Sequence, residues 1–200
     1  MAGISSCYTV ACCDRNRRGG IKRIYLTNTE NITDFTPQDA GCAHEYKAVT
    51  MESSTCWFKW EFERGTAGFN ANATRENGST IVEVELEFYL PKVTCESNAA
   101  LNTLLTSCGM TAIVETYADD CATPTANNLV FVLGWDEVFE ETAYMEFASG
   151  EQSTGVGLQD ANGTLVKIGG EMGEYPREFS AAGFSTFLST QVSTDCTSCP

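Results

Sequence analysis

Two runs of strict alternation constrain this chain more than anything else in it. The first is Trp57-Phe58-Lys59-Trp60-Glu61-Phe62-Glu63-Arg64, and the second is Ser79-Thr80-Ile81-Val82-Glu83-Val84-Glu85-Leu86-Glu87-Phe88-Tyr89-Leu90. Successive side chains on a strand point to opposite faces. A strand over the second run therefore gathers Val82, Val84, Leu86 and Phe88 on one face and Glu83, Glu85 and Glu87 on the other. In the first run Phe58, Trp60 and Phe62 oppose Lys59, Glu61 and Glu63. Helical spacing would scatter the glutamates around the axis, so the period argues for strands. Gly65 to Gly78, rich in Gly, Asn, Thr and Ala, reads as the loop at a hairpin tip. The expectation is one long hairpin, oily on one side and acidic on the other.

The rest of the chain adds shorter elements. Ile21 to Thr27, Glu45 to Met51, Thr111 to Tyr117, Ala143 to Ser149 and Thr164 to Glu171 read as strands, with Asn28 to Gly41 an exposed excursion. Leu129 to Trp135 is continuously apolar, which suits a strand buried on both faces. Asn162-Gly163 supplies a tight turn. Only Cys95 to Cys108 changes period: Leu101, Leu104, Leu105 and Cys108 share one helical face, with Thr94 or Ser97 as cap and Gly109 as a left-handed stop. The fold class expected is mainly β, an antiparallel sandwich or small barrel of about eight strands with one flanking helix. No composition break marks a linker, so residues 1–200 read as one domain with irregular, cysteine-rich arms at 1–20 and 180–200.

Twelve basic against 27 acidic residues give a formal charge of −15, which argues against a basic patch that grips nucleic acid. The small cluster Arg15, Arg17 and Arg18 reads as a solvated loop. Met1 to Cys13 has no basic n-region, and no stretch reaches the ~18 apolar residues of a membrane helix, so the expectation is a soluble product made in a cytoplasm.

Ten cysteines leave three readings open. Cys56, Cys95 and Cys108 suit buried reduced thiols. Disulfides formed after release from the cell are the second reading. The third is a zinc knot that joins the termini, with Cys196 and Cys199 as one ligand pair.

The usual enzyme constellations are missing. His44 is the single histidine and sits between Ala43 and Glu45, no setting for a triad. Gly155-Val-Gly157 lacks the third glycine of a phosphate loop, and Asp160 with Asn162 is half a calcium loop without its closing glutamate. Asn-x-Ser/Thr sequons at Asn31, Asn72, Asn77 and Asn162 matter only on a eukaryotic secretory route. Repeated glutamates on a strand face are a wetted face unless a pocket raises one pKa. The expectation is a protein that is not an enzyme and carries no cofactor.

A resemblance supplies what the residues alone do not. Gly134-Trp135-Asp136-Glu137, Ala143-Tyr-Met-Glu146, Ser153-Thr-Gly155, Asp160-Ala-Asn-Gly163-Thr, Gly169-Gly-Glu171 and Pro176 form a pattern covering about a third of the chain. This pattern resembles the tail-tube proteins of long-tailed bacteriophages, especially those of phages that infect Bacteroidetes-type hosts. The long hairpin followed by a helix is similar to that family's layout, whereas the cysteine-rich ends depart from it and leave room for a specialised tail or neck component. The resemblance implies a virion protein, assembled in the host cytoplasm, whose copies form rings (commonly hexameric) that stack into a tube. Trp57, Trp60, Phe62, Val82, Val84, Leu86 and Phe88 would then belong to the hairpin that joins an inter-subunit barrel. Glu61, Glu63, Glu83, Glu85 and Glu87 would line a negative lumen through which DNA passes without specific binding. The implied partners are further copies of the chain and other tail or neck proteins, with no membrane. Residues 65–78 and the terminal arms are candidates for ring-to-ring contacts. The alternative is a secreted or surface β-sandwich binding module stapled by five disulfides, and a small-barrel metal enzyme comes third.

Overall fold

A computed structural model describes residues 19–39, 44–76, 78–119, 128–155 and 162–193. The chain is mainly β, with eleven strands in one large mixed sheet and two α-helices among the described residues. The strands are β1 (Ile21–Asn28), β2 (Ile32–Pro37), β3 (Glu45–Met51), β4 (Phe58–Glu61), β5 (Ala67–Glu76), β6 (Ser79–Pro91), β7 (Met110–Asp119), β8 (Asn128–Leu133), β9 (Met145–Ser153), β10 (Gly163–Met172) and β11 (Glu178–Phe179). Helix α1 spans Cys95–Thr106 and α2 spans Ala181–Thr190. The sheet runs β2-β3-β11-β8-β7-β9-β10-β6-β5, and β1 joins β7 to β4. It does not close, and β11 against β3 is its parallel pair.

The expected hairpin of Trp57–Arg64 with Ser79–Leu90 does not form, and β6 makes its hairpin with another strand. β6 pairs along ten residues with β5, from Ala67 opposite Phe88 to Glu76 opposite Ser79. The stretch expected to be a loop is therefore mostly a strand, and β4, expected to pair with β6, pairs instead with β1. Positive φ at Gly78 (88°) serves the turn from β5 to β6, a conformation that glycine adopts without strain. Asparagine, alanine and glycine are poor strand formers. In β5 the register overrides that preference, because Ala67, Phe69, Ala71 and Ala73 fall opposite the four apolar residues of β6.

Two cores lie on opposite faces of the central strands. Ile24 and Leu26 of β1, Ala112 and Val114 of β7, and Leu133 of β8 join Val82, Val84, Leu86 and Phe88 in one. Tyr25, Ile113, Val130 and Val132, their neighbours on the same strands, join Phe35, Tyr46, Trp57 and Phe187 in the other. The apolar run at 129–135 is thus buried on both sides, as its composition predicts. Each fully buried Leu or Phe of β6 contributes about 2 kcal/mol of apolar transfer.

Helix α1 is capped as expected: the Thr94 hydroxyl accepts from Ser97 N–H, and the Ser97 hydroxyl accepts from Thr94 N–H. Its end differs from expectation. The helix stops at Thr106, Cys108 lies beyond it and exposed, and Leu105 is 54% exposed. Gly109 is needed for space rather than for a left-handed stop, since a Cβ there would meet the Tyr144 ring at 3.0 Å. Helix α2 is a second helix where one was expected. Ser180 caps it by accepting from Gly183 N–H, and Phe184 and Phe187 turn inward against Tyr25.

Candidate assembly surface

The surface is built from β6 outward. Its apolar residues sink into the first core, so Glu83, Glu85 and Glu87 must face away from it. Register then carries that outer face across three more strands. On β5, Asn72, Asn70 and Gly68 stand opposite Glu83, Glu85 and Glu87. On β10, Glu171, Gly169 and Lys167 stand opposite the same three. On β9, Glu151, Ser149 and Glu146 stand opposite Leu165, Lys167 and Gly169. Among the described side chains the β5–β6–β10–β9 layer thus presents six glutamates and one lysine on one face.

Lys167 occupies the middle of this field. Its Nζ lies 2.7 Å from Glu87 Oε2 and 3.1 Å from Glu85 Oε1. Hydrogen bonds to Glu87 first, and then to Glu85, hold the ammonium's pKa above the ordinary lysine value. Glu146, Glu151, Glu171 and Lys167 do not stand out in the sequence. The signal that finds two of them is the alternation Leu165, Lys167, Gly169, Glu171 against Thr164, Val166 and Ile168, although Gly163 begins β10 opposite Ser153 and does not form the expected tight turn.

Both long edges of the layer are open among the described residues. β5 pairs only with β6. β9 pairs with β10, and with β7 only where Met145 meets Met110, leaving Phe147 to Ser153 with an unpaired side. A β-bulge between Lys167 and Ile168 interrupts the β9–β10 register, a feature that adds twist and curvature. Gly170 lets the layer meet the Tyr144–Met145 backbone, because a Cβ there would approach Tyr144 O to 2.5 Å.

The first alternating run is placed elsewhere. Trp60 and Phe62 do reach Phe88, with ring centroids 5.9 and 4.9 Å away. Trp57 points into the opposite core, 5.6 Å from Phe187, and is fully buried within its own chain. Phe58 is 40% exposed instead of packed. Glu61 pairs with Arg23 and Lys59, each at 3.4 Å. It lies with Arg23 on the β1–β4 ladder, apart from the β6 glutamates, and Glu63 follows in the exposed turn after β4.

The other candidates resolve as follows. Cys56 is buried and disulfide-bonded rather than a reduced thiol, and its partner lies outside the described residues. Cys95 and Cys108 are free, but exposed rather than buried. With those two free, the ten cysteines cannot form five bridges within one chain. Cys196, Cys199, Gly157, Asp160, Asn77 and the 15–18 arginine cluster lie outside the described residues. His44 Nε2 is 3.1 Å from Tyr175 O, and Asn162 Oδ1 accepts from Val93 N–H. Among the described residues no helix is long and apolar enough to cross a membrane. Set against known proteins, the chain matches no family model, no curated protein and no solved structure.

Proposed function

We propose that this chain is a structural subunit of a phage tail tube: copies join side by side into rings, six-fold in the family it resembles, and the rings stack around an acidic bore that conducts DNA. The observation that carries this reading is the amphipathic β5–β6–β10–β9 layer with both edges open among the described residues. Unpaired edges of this length are an aggregation hazard unless something covers them. Neighbouring copies are the covering that the strand directions favour. Across four antiparallel strands β5 and β9 run in opposite directions, so copies related by rotation about a ring axis bring β5 beside β9 as an antiparallel pair. Closure leaves no edge, as in any barrel.

In such a ring the apolar face of each layer stays on its own subunit's core, and Glu83, Glu85, Glu87, Glu146, Glu151 and Glu171 face the hole. Carboxylates multiplied by ring symmetry repel phosphate over a screening length of ~8 Å at physiological salt. DNA then passes without binding. The finer architecture proposed is a sandwich whose hairpin layer completes an inter-subunit barrel, located in the virion tail and contacting other tail or neck proteins. Negative-stain microscopy and sedimentation test the proposal together. Rings or hollow tubes are expected, and a chain that remains a monomer at high concentration overturns it.

The disulfide at Cys56 favours a second reading, a disulfide-stabilised surface or secreted binding module. That module would sediment as a monomer with or without reductant.

A further inference from the structure

We propose that Lys22 and Asn128 become joined in the folded chain by an isopeptide bond, whose formation the buried Glu115 carboxyl group promotes. The three residues come from neighbouring strands: Lys22 from β1, Glu115 from β7 and Asn128 from β8. Glu115 Oε1 accepts two hydrogen bonds at once, from Lys22 Nζ at 2.6 Å and from Asn128 Nδ2 at 2.7 Å. One carboxylate oxygen thus holds an amine and a carboxamide side by side. Both flanking ladders are irregular here. The β1–β7 register shifts between Ile21 and Arg23, which makes Lys22 the bulged residue, and the β7–β8 register shifts between Glu115 and Asp119. On a regular strand Lys22 and Arg23 would point to opposite faces, yet both reach Glu115. Such re-aiming of a side chain is what a bulge accomplishes. Arg23 Nε lies 3.6 Å from Glu115 Oε2, an oxygen that accepts no hydrogen bond among the described residues. A guanidinium keeps its protons, so of these two cations only Lys22 can yield a nucleophilic amine.

The step balances without a co-reactant. Glu115 takes a proton from the Lys22 ammonium, and the freed amine attacks Asn128 Cγ. A C–N bond forms while an electron pair of the carbonyl moves onto its oxygen. Glu115 returns its proton to Asn128 Nδ2, the nitrogen that it already holds. The carbonyl then re-forms and the bond from Cγ to Nδ2 breaks. The attacking nitrogen's second proton goes to the departing ammonia. An ammonium and a carboxamide become an amide and free ammonium; nothing is oxidised or reduced, and Glu115 is regenerated. Both nitrogens stand within the reach that proton transfer to and from one carboxyl group requires. The bond ties β1 to β8 across β7, whose Val114 and Ile113 belong to opposite cores, and reductant does not cleave it. It forms within one chain, so it is independent of the tube reading.

The test takes wild type, Lys22→Arg and Glu115→Gln, each reduced and denatured, through intact-mass spectrometry and tryptic mapping. Wild type is expected to weigh one ammonia less than its sequence, to resist cleavage after Lys22 and to give a branched peptide containing Lys22 and Asn128. Lys22→Arg keeps a cation beside Glu115 but has no amine, and is expected at full mass. Glu115→Gln keeps the shape without the proton relay, and is expected at full mass too. Wild type at full mass, cut normally after Lys22, overturns the proposal. So does a Lys22→Arg protein that still lacks one ammonia, because the loss then lies elsewhere. A linked Glu115→Gln rejects the role given to Glu115. Should Glu115→Gln fail to fold, the wild-type map and Lys22→Arg decide.

Discussion

Glu83 and Glu171 stand directly opposite each other across the β6–β10 ladder, two exposed carboxylates that carry no ion pair among the described residues. Like charges at opposed cross-strand positions repel, by about 0.2–1 kcal/mol. A fold selected only for stability has no use for this arrangement, whereas a surface that must stay negative does. Glu171→Lys is therefore expected to stabilise the isolated chain by about 0.5 kcal/mol, seen as a higher urea midpoint at low salt. At 1 M salt the gain should largely vanish, since the screening length falls to ~3 Å. A gain that persists at high salt points to packing instead of charge.

Asp136 is the polar anchor of the segment after β8. Its carboxylate is wholly buried and takes three backbone N–H groups, two from its own turn and one from Gly173. Asp136→Ala leaves those donors without a partner, at a cost of about 3 kcal/mol or more. Asp136→Asn keeps the shape but forfeits the charge-assisted acceptor, and is expected to lose less. Chemical denaturation of both variants orders the effects, and equal losses would show that volume rather than hydrogen bonding matters at this position.

These elements differ in how far the sequence discloses them, and the reason is physical in each case. Val82, Val84, Leu86 and Phe88 alternate with glutamates, so both faces of β6 are readable from period alone. β5 is not, because Asn70, Asn72 and Ala73 carry little strand preference and only pairing with β6 settles their conformation. The partner of β6 is likewise invisible, since alternation defines faces and says nothing of neighbours. Helix α2 is obscured by Gly183, whose missing Cβ is what lets the helix approach Lys47 O, 2.2 Å from where a Cβ would stand. The acidic surface was legible in its centre, on β6, and illegible at Glu146 and Glu151, which reach it only through the register of β9 against β10.

Two glycines should respond in opposite senses to alanine. At Gly183 the added Cβ meets the Lys47 backbone, which cannot move without displacing β3, so Gly183→Ala is expected to cost about 2 kcal/mol as an overpacked site. At Gly68, on the edge strand β5, nothing lies within 4 Å of the added Cβ. Gly68→Ala is expected to gain about 0.5 kcal/mol by restricting the unfolded chain. Thermal melts of the pair check this, and a destabilised Gly68→Ala would mean that a neighbour already covers the β5 surface.

Alkaline pH probes the second core through Tyr46. Burial pushes its phenol far above the ordinary value, and the nearby Glu137 carboxylate adds to the rise. Its hydroxyl is buried with no hydrogen-bond partner among the described residues. The sign follows from linkage. In the folded chain the phenol stays protonated, whereas the unfolded phenol ionises near pH 10, so the stabilisation is complete below about pH 10 and declines as pH rises above it. The decline approaches about 1.4 kcal/mol per pH unit for this one group. Tyr46→Phe removes the ionisation and keeps the ring that packs 5.0 Å from Phe35. Urea denaturation at pH 9 and pH 11 is expected to show wild type losing more stability than Tyr46→Phe across that interval. Tyr25, whose phenol burial also raises, should leave a residual slope in the variant. Parallel losses in the two proteins would show that Tyr46 reaches solvent and ionises in the folded state.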